Sequence, residues 1–205
     1  MISIDVETGG LDPKNSALLS IGAVDMLDPT RTYYIEMRAR EGAEVSESAL
    51  KVNGFTEESV NDPDKFTEEK AMHNFIGWVN ECAGQKILLG HNAAFDLSFI
   101  KESCKRYDIS NPFQHRVVDL HSVYYAEEWR HKGYDFEAVS RKISLNYILQ
   151  ELFGVKEPNP HNALTGAKCN AEVMHALAGF RGRLFEDQRQ CGNVGYCYCP
   201  KCNPR

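Results

Sequence analysis

ISIDVET (residues 2–8) alternates apolar and polar side chains: Ile2, Ile4 and Val6 fall on one side of an extended chain, Ser3, Asp5 and Glu7 on the other. A period of two belongs to a β-strand with one face buried. Asp5 and Glu7, two apart, then leave the same face about 7 Å apart along the backbone. Such a pair suits a strand surface facing water, or a site where a cation offsets its repulsion.

Outward from this strand, a turn around GGLDPKN leads to a second strand, ALLSIGAVDM, and LDPT leads to a third, RTYYIEM. Three consecutive strands with short connections predict an antiparallel meander. FTEEKAMHNFIGWVNECA then reads as a helix with Phe66, Ala71, Phe75, Trp78 and Val79 near one face. A short buried strand, KILLG, precedes a helix from about Ala94 to Tyr107. There follow a strand RVVDL, a helical HSVYYAEEWRHK and a helix SLNYILQELFG that ends on Gly154, a residue suited to a C-cap. The last long helix begins after EPNPHNA and runs to about Phe180. Strands first, then alternating helices and strands, predict an α/β fold in which helices cover a mixed sheet.

At 205 residues the chain is long enough for one domain with a real core. The expected boundary falls near Gln188 to Gln190, dividing a domain of residues 1–185 from a cysteine-rich tail, 186–205. No apolar run approaches the roughly 20 residues of a membrane helix. MISIDVETGG lacks the basic start and apolar core of an export signal, so a cytoplasmic protein with no membrane association is expected. A net charge of −6 argues against holding nucleic acid through a broad basic surface, but not against a metal-loaded site that attracts phosphate.

Asp96 falls in AAFDLSFIKESC on or beside the apolar stripe, one turn before Phe99 and Ile100. A charge there is costly unless paired or coordinated; the plainer role is an acid favoured by the helix dipole. His161 sits just before a helix, after Pro158 and Pro160, and taken alone reads as an ordinary surface histidine.

Taken together and in order, SIDVETGGLDP, LLGHNAAFDLSFI and PHNALTGAKCNAEV resemble the three motifs of the DEDDh 3'-5' exonucleases, and VNGFTEESV resembles the segment between the first two. The resemblance spans about residues 1–180. It implies an RNase H-like fold, a mixed five-stranded sheet whose first three strands are antiparallel. It also implies hydrolysis of DNA or RNA from a single-stranded 3' end or 3' overhang, with release of nucleoside monophosphates. Two Mg2+ or Mn2+ ions roughly 4 Å apart would serve both the attacking water and the leaving oxygen. Carried over, Asp5 bridges the ions, Glu7 binds the water-activating one, Asp96 lies beside the other, and His161 is the general base. Thr8, Gly9, Gly10 and Leu11 meet the terminal nucleotide, with glycine permitting close backbone approach. His91 and Asn92 fall near the substrate strand, and Phe95 is taken as core.

The pattern departs at Gly166, five residues after His161, where the family has an aspartate that helps hold the water-activating metal. Glu172 lies six residues further on, about 240° around an ideal helix, and so faces elsewhere. Asn170, one turn on, offers only a neutral oxygen. Three readings stay open: an exonuclease working without this carboxylate, a disabled variant of a chain that naturally carries aspartate, and a member kept as a nucleic-acid or protein-binding module.

The tail, CGNVGYCYCPKC, has four cysteines, Cys191, Cys197, Cys199 and Cys202, spaced C-x5-C-x-C-x2-C. Four soft ligands in this span suit a structural Zn2+ site, though the spacing is not the usual paired one. The choice of DNA or RNA and the oligomeric state, a homodimer included, stay open at this level.

Overall fold

The computed structural model describes residues 1–133, 143–158, 160–180 and 184–185. The strand alternation is realised as β1 (Ile2–Thr8), β2 (Leu18–Asp25) and β3 (Thr32–Glu36), an antiparallel meander. Two short parallel strands, β4 (Leu88–Gly90) and β5 (Val117–Asp119), complete a five-stranded sheet of order β3-β2-β1-β4-β5. This is the mixed sheet expected of an RNase H-like exonuclease fold. Its centre is β1, antiparallel to β2 on one side and parallel to β4 on the other.

Helices cover both faces. Ile2, Ile4 and Val6 join α3 (Glu68–Glu81) and α4 (Ala93–Arg106) in one core, where Phe75, Phe99 and Ile100 are almost wholly buried. On the other side α5 (Leu120–Lys132), α6 (Leu145–Phe153) and α7 (Ala163–Leu177) share a second core around Leu89, Tyr124, Ile148 and Val173. Ser3 Oγ donates to the Ala167 carbonyl at 2.8 Å, so the Ser3–Asp5–Glu7 face of β1 looks toward α7.

Two short helices, α1 (Glu47–Asn53) and α2 (Glu57–Val60), escape the periodic reading. Each has a cap: Ser46 accepts from Ala49 N and Gly54 takes the left-handed conformation, while Thr56 and Ser59 form a reciprocal capping box. Phe66 is corrected. It precedes the Thr67 N-cap of α3, is exposed, and lies under Lys70 instead of in the core. Gly154 caps α6 in the left-handed region as expected, and α7 ends at Leu177, short of Phe180. The Gln188–Gln190 boundary and the tail cysteines Cys191, Cys197, Cys199 and Cys202 lie outside the described residues. Among the described residues, no helix is long and apolar enough to cross a membrane.

Candidate active site

Where parallel strands of an open sheet end, the chain turns away and leaves a crevice at their carboxyl ends. β1 and β4 make that crevice here. Their pairing stops at Ser3–Leu89, so the edge of β1 beyond it lacks a strand partner on that side. The Val6 N–H donates to Asp96 Oδ1 at 2.9 Å. Asp96, 4% exposed in the first turn of α4, is thereby tied to the strand that carries Asp5 and Glu7. A β-bulge between Glu7 and Thr8 breaks the register with β2 at the same end, a device that re-aims side chains beside sites.

A cleft of about 200 Å³ opens here, lined by Asp5, Val6, Glu7, His91, Leu145, Glu157 and His161. Three of these lining side chains are carboxylates, and neither lysine nor arginine is among them. Burial lifts the Asp5 carboxyl well above the usual range, and the negative charges of Asp96, Glu7 and Glu157 lift it further. Burial and the neighbouring Glu157 raise Glu7 to about 7. Asp96 also rises to about 7, through burial and Glu7 against the lowering effect of its backbone hydrogen bonds. Glu157 is raised by burial. Such a set of mutually opposed carboxyls favours either protons or added cations.

His161 reaches the rim from just outside the Asn162 N-cap of α7, exposed and with a backbone φ of 66°. Asn92, the N-cap of α4, is also left-handed with φ 64°, its N–H donating to Asp119 Oδ1 at 2.8 Å. Left-handed backbone at a non-glycine residue costs on the order of 1 kcal/mol or more, and such strain gathers at functional sites. His91 is half-buried, its Nε2 bonded to the Ile143 carbonyl at 2.8 Å, and burial lowers its pKa.

The Thr8–Leu11 segment is held from behind. Asn53 Nδ2 of α1 donates to the Thr8 carbonyl, Gly9 N to Ala17, and Ser46 N to the Gly9 carbonyl. A Cβ at Gly9 would lie 2.6 Å from the Glu44 carbonyl oxygen, and one at Gly10 2.5 Å from Ser16 Oγ. Contact with the protein's own chain therefore explains both glycines before any substrate does. Leu11 stands 85% exposed beyond them. Phe95 leans on Phe99 against the core, as expected.

Gly166 faces Asp5 directly: a Cβ built there would sit 2.5 Å from Asp5 Oδ2 and 2.7 Å from its Cγ. On the opposite strand Asp5 pairs with Gly22, whose own Cβ would collide with the Ala163 backbone at 2.1 Å. Gly22 thus lets the start of α7 lie close over β2, while Gly166 leaves room for the Asp5 side chain. Asn170 is buried against β1, its Nδ2 donating to the Ile4 carbonyl at 3.0 Å and its Oδ1 without a hydrogen-bond partner among the described residues. Glu172 faces elsewhere, as its spacing requires, and accepts from Leu184 N.

The structure therefore gathers Asp5, Glu7, Asp96, His91 and His161 at one end of the sheet and adds Glu157, which sequence reasoning passed over. Its signal was weak: one acid in a short loop between the Gly154 cap and Pro158, four residues before His161. Among the described residues, no three His, Cys, Asp or Glu side chains come together closely enough to hold a metal ion as they stand. A larger hollow of about 350 Å³ lies away from these residues, lined by Arg38, Arg40, Glu68 and Tyr107 among others. Its buried Glu68 is already matched by Arg40 and Arg106, so it is read as structural.

A family model described as exonuclease matches residues 2–174. The chain belongs to this exonuclease family. The DEDDh-type resemblance carried by the three motifs is thereby shown. The domain is 27% identical over 187 residues to the 3'-5' DNA exonuclease Cap18 of Escherichia coli, covering 86% of this chain and 90% of that protein. It is also 27% identical over 173 residues to the PolC-type DNA polymerase III of Clostridium perfringens, covering 84% of this chain but 11% of the polymerase. Among solved structures, E. coli exonuclease I in complex with a dT13 oligonucleotide superposes with a TM-score of 0.65 at 17% identity, covering 86% of this chain and 40% of that one. The nuclease domain of 3'hExo, a DEDDh family member bound to rAMP, gives 0.65 at 17% identity, over 87% of this chain and 90% of that one. At these identities the two structures speak for the fold.

Proposed function

We propose that this chain is a metal-dependent 3'-5' exonuclease that removes nucleoside monophosphates from single-stranded nucleic acid or 3' overhangs. The observation that carries the reading is the cleft itself, where Asp5, Glu7 and Glu157 line one hollow beside Asp96, with neither lysine nor arginine among the described lining residues. Hard carboxylate oxygens suit Mg2+ or Mn2+, and such ions keep waters and take phosphate oxygens to complete their shells. A site that does not enclose the ion unaided fits that habit. Asp5, Glu7 and Asp96 are the residues that would hold it. When bound, divalent ions polarise the phosphate and render a water acidic enough to attack.

The chain's own groups do the rest. His161 accepts the proton of the attacking water at a ring nitrogen. The oxygen–phosphorus bond forms, the bond to the 3' oxygen breaks, and that oxygen takes a proton from solvent, so the shortened strand keeps a 3' hydroxyl. Leu11 rests against the terminal base, and the backbone from Thr8 to Gly10, braced by Asn53, fixes where that base stops. His91 and Asn92 border the path of the strand. Cap18 is described as a DNA exonuclease and exonuclease I is seen with a DNA oligonucleotide, which supports DNA as the first substrate to try.

Gly166 favours a second reading, a nucleic-acid or protein-binding module with little turnover, because one carboxylate of the family pattern is absent. The test is 3'-end degradation of 5'-labelled single-stranded DNA and RNA in Mg2+ or Mn2+, beside Asp5→Asn. Stepwise shortening that needs metal and is lost in Asp5→Asn supports the exonuclease. Metal-independent binding without shortening supports the second reading.

A further inference from the structure

The family pattern leaves a vacancy at Gly166, and the Asp5 side chain leans into it. Asp5 Oδ2 lies 2.5 Å from where a Cβ would be, so a side chain at 166 would have to turn the Asp5 carboxylate aside. Asn170 is no replacement. It is buried against β1, bonded to the Ile4 carbonyl, and absent from the cleft lining.

Glu157 reaches the same cleft from another direction. It comes from the loop between α6 and α7, lies half-buried, and shares the lining with Asp5, Glu7 and His161. Its backbone is fixed, since Glu157 N donates to Asn146 Oδ1 on α6 at 2.7 Å. The left-handed Gly154 closes α6 three residues earlier, and Pro158 follows at once. An acid held in this way shares the lining with two other carboxylates, and among the described lining residues there is neither an arginine nor a lysine to pair with it.

We propose that Glu157 replaces the carboxylate missing at Gly166, completing with Asp5, Glu7 and Asp96 a set of four acids that hold the divalent ions, directly or through a bound water. The acid has moved from the last helix to the loop that precedes it. This rests on the exonuclease reading, which supplies the ions.

The test is Mn2+ titration by calorimetry on the full chain, its Glu157→Gln and Glu157→Asp variants and Gly166→Asp, with thermal unfolding as a check on folding. Removing a group that supports a metal ligand set typically costs about 10–100-fold in affinity. Glu157→Gln is expected to lose at least about tenfold in Mn2+ affinity while staying folded, and its cleavage to recover at high Mn2+. Glu157→Asp, which keeps the charge, is expected to fall between, and it decides the matter if the glutamine variant unfolds. Gly166→Asp is expected to bind Mn2+ more weakly, because its side chain displaces Asp5. If the parent chain binds Mn2+ and cuts while Glu157→Gln binds it equally well, Glu157 is not the replacement, though the exonuclease stands. A parent chain that neither binds Mn2+ nor cuts removes both.

Discussion

Glu68 and Asp5 are both carboxylates withdrawn from bulk water, yet their surroundings are opposite in kind. Glu68, 2% exposed at the start of α3, receives Arg106 at 2.5 Å, Ser103 Oγ at 2.5 Å, and has Arg40 Nε at 3.6 Å. Its charge is met from within the chain, and the cluster ties α3 and α4 to the loop at Arg40. Asp5 looks out on Glu7, Glu157 and Asp96, all of the same sign. A buried charge compensated by arginine stabilises a fold only if both partners stay. Uncompensated charges persist only where something outside the chain offsets them, and that difference separates scaffold from site.

The sharpest way to break this comparison is Asp5→Asn. Cleavage is expected to drop by about a thousandfold or more, on the scale of losing about 4 kcal/mol of transition-state stabilisation, read as 3'-end shortening of labelled DNA. The metal-free variant should melt no lower than the parent, since the change removes a repelled charge.

Glu68→Ala should do the reverse. Leaving Arg40 and Arg106 without their shared partner costs about 3–5 kcal/mol, measured by denaturant unfolding. Calorimetric Mn2+ affinity should stay within about twofold of the parent, because distant, independent sites leave one another nearly unchanged.

Acidity sharpens the comparison without mutation. Burial and like charge lift Glu7 from 4.5 and Asp96 from 3.8 to about 7. The unfolded chain releases these protons near the lower values, so between about pH 4 and 7 the folded metal-free chain holds more protons than the unfolded one. Their contribution to stability is therefore fully present below that window and falls as pH rises through it. Melting temperature in chelator should decline from pH 5 to 7.5, and Mn2+ should flatten the decline.

The smallest effect is expected from Leu11→Ala. With the side chain 85% exposed, stability should not change. A leaning contact with the terminal base is worth about 1 kcal/mol, part of what full burial of a leucine contributes. KM for single-stranded substrate should therefore rise about fivefold with kcat nearly constant.

Much of the scaffold was legible because its signals are local and periodic. The alternation of ISIDVET set β1 and the common face of Asp5 and Glu7, and the stripe through Ala71, Phe75 and Val79 marked α3. Four- and seven-residue helices do not complete enough turns to show a period, so α1 and α2 were visible only in their caps. Gly22 owes its identity to an approach between β2 and α7 that joins residues far apart in the chain. Gly9 and Gly10 were assigned to substrate approach, but contact with Glu44 and Ser16 already requires them. Glu157 escaped because a lone loop acid has no period and no motif; only the folded chain shows what it faces.

The most direct measurement is thermal unfolding of the parent chain, Asp5→Asn and Glu68→Gln, each in chelator and in Mn2+. If the cleft carboxylates are uncompensated groups that hold divalent ions, Asp5→Asn keeps or raises the metal-free melting temperature and loses the Mn2+ response. Glu68→Gln lowers the melting temperature and keeps the response. If Asp5→Asn destabilises the metal-free chain as Glu68→Gln does, or responds to Mn2+ like the parent, the two clusters are alike and the site is not where it is placed.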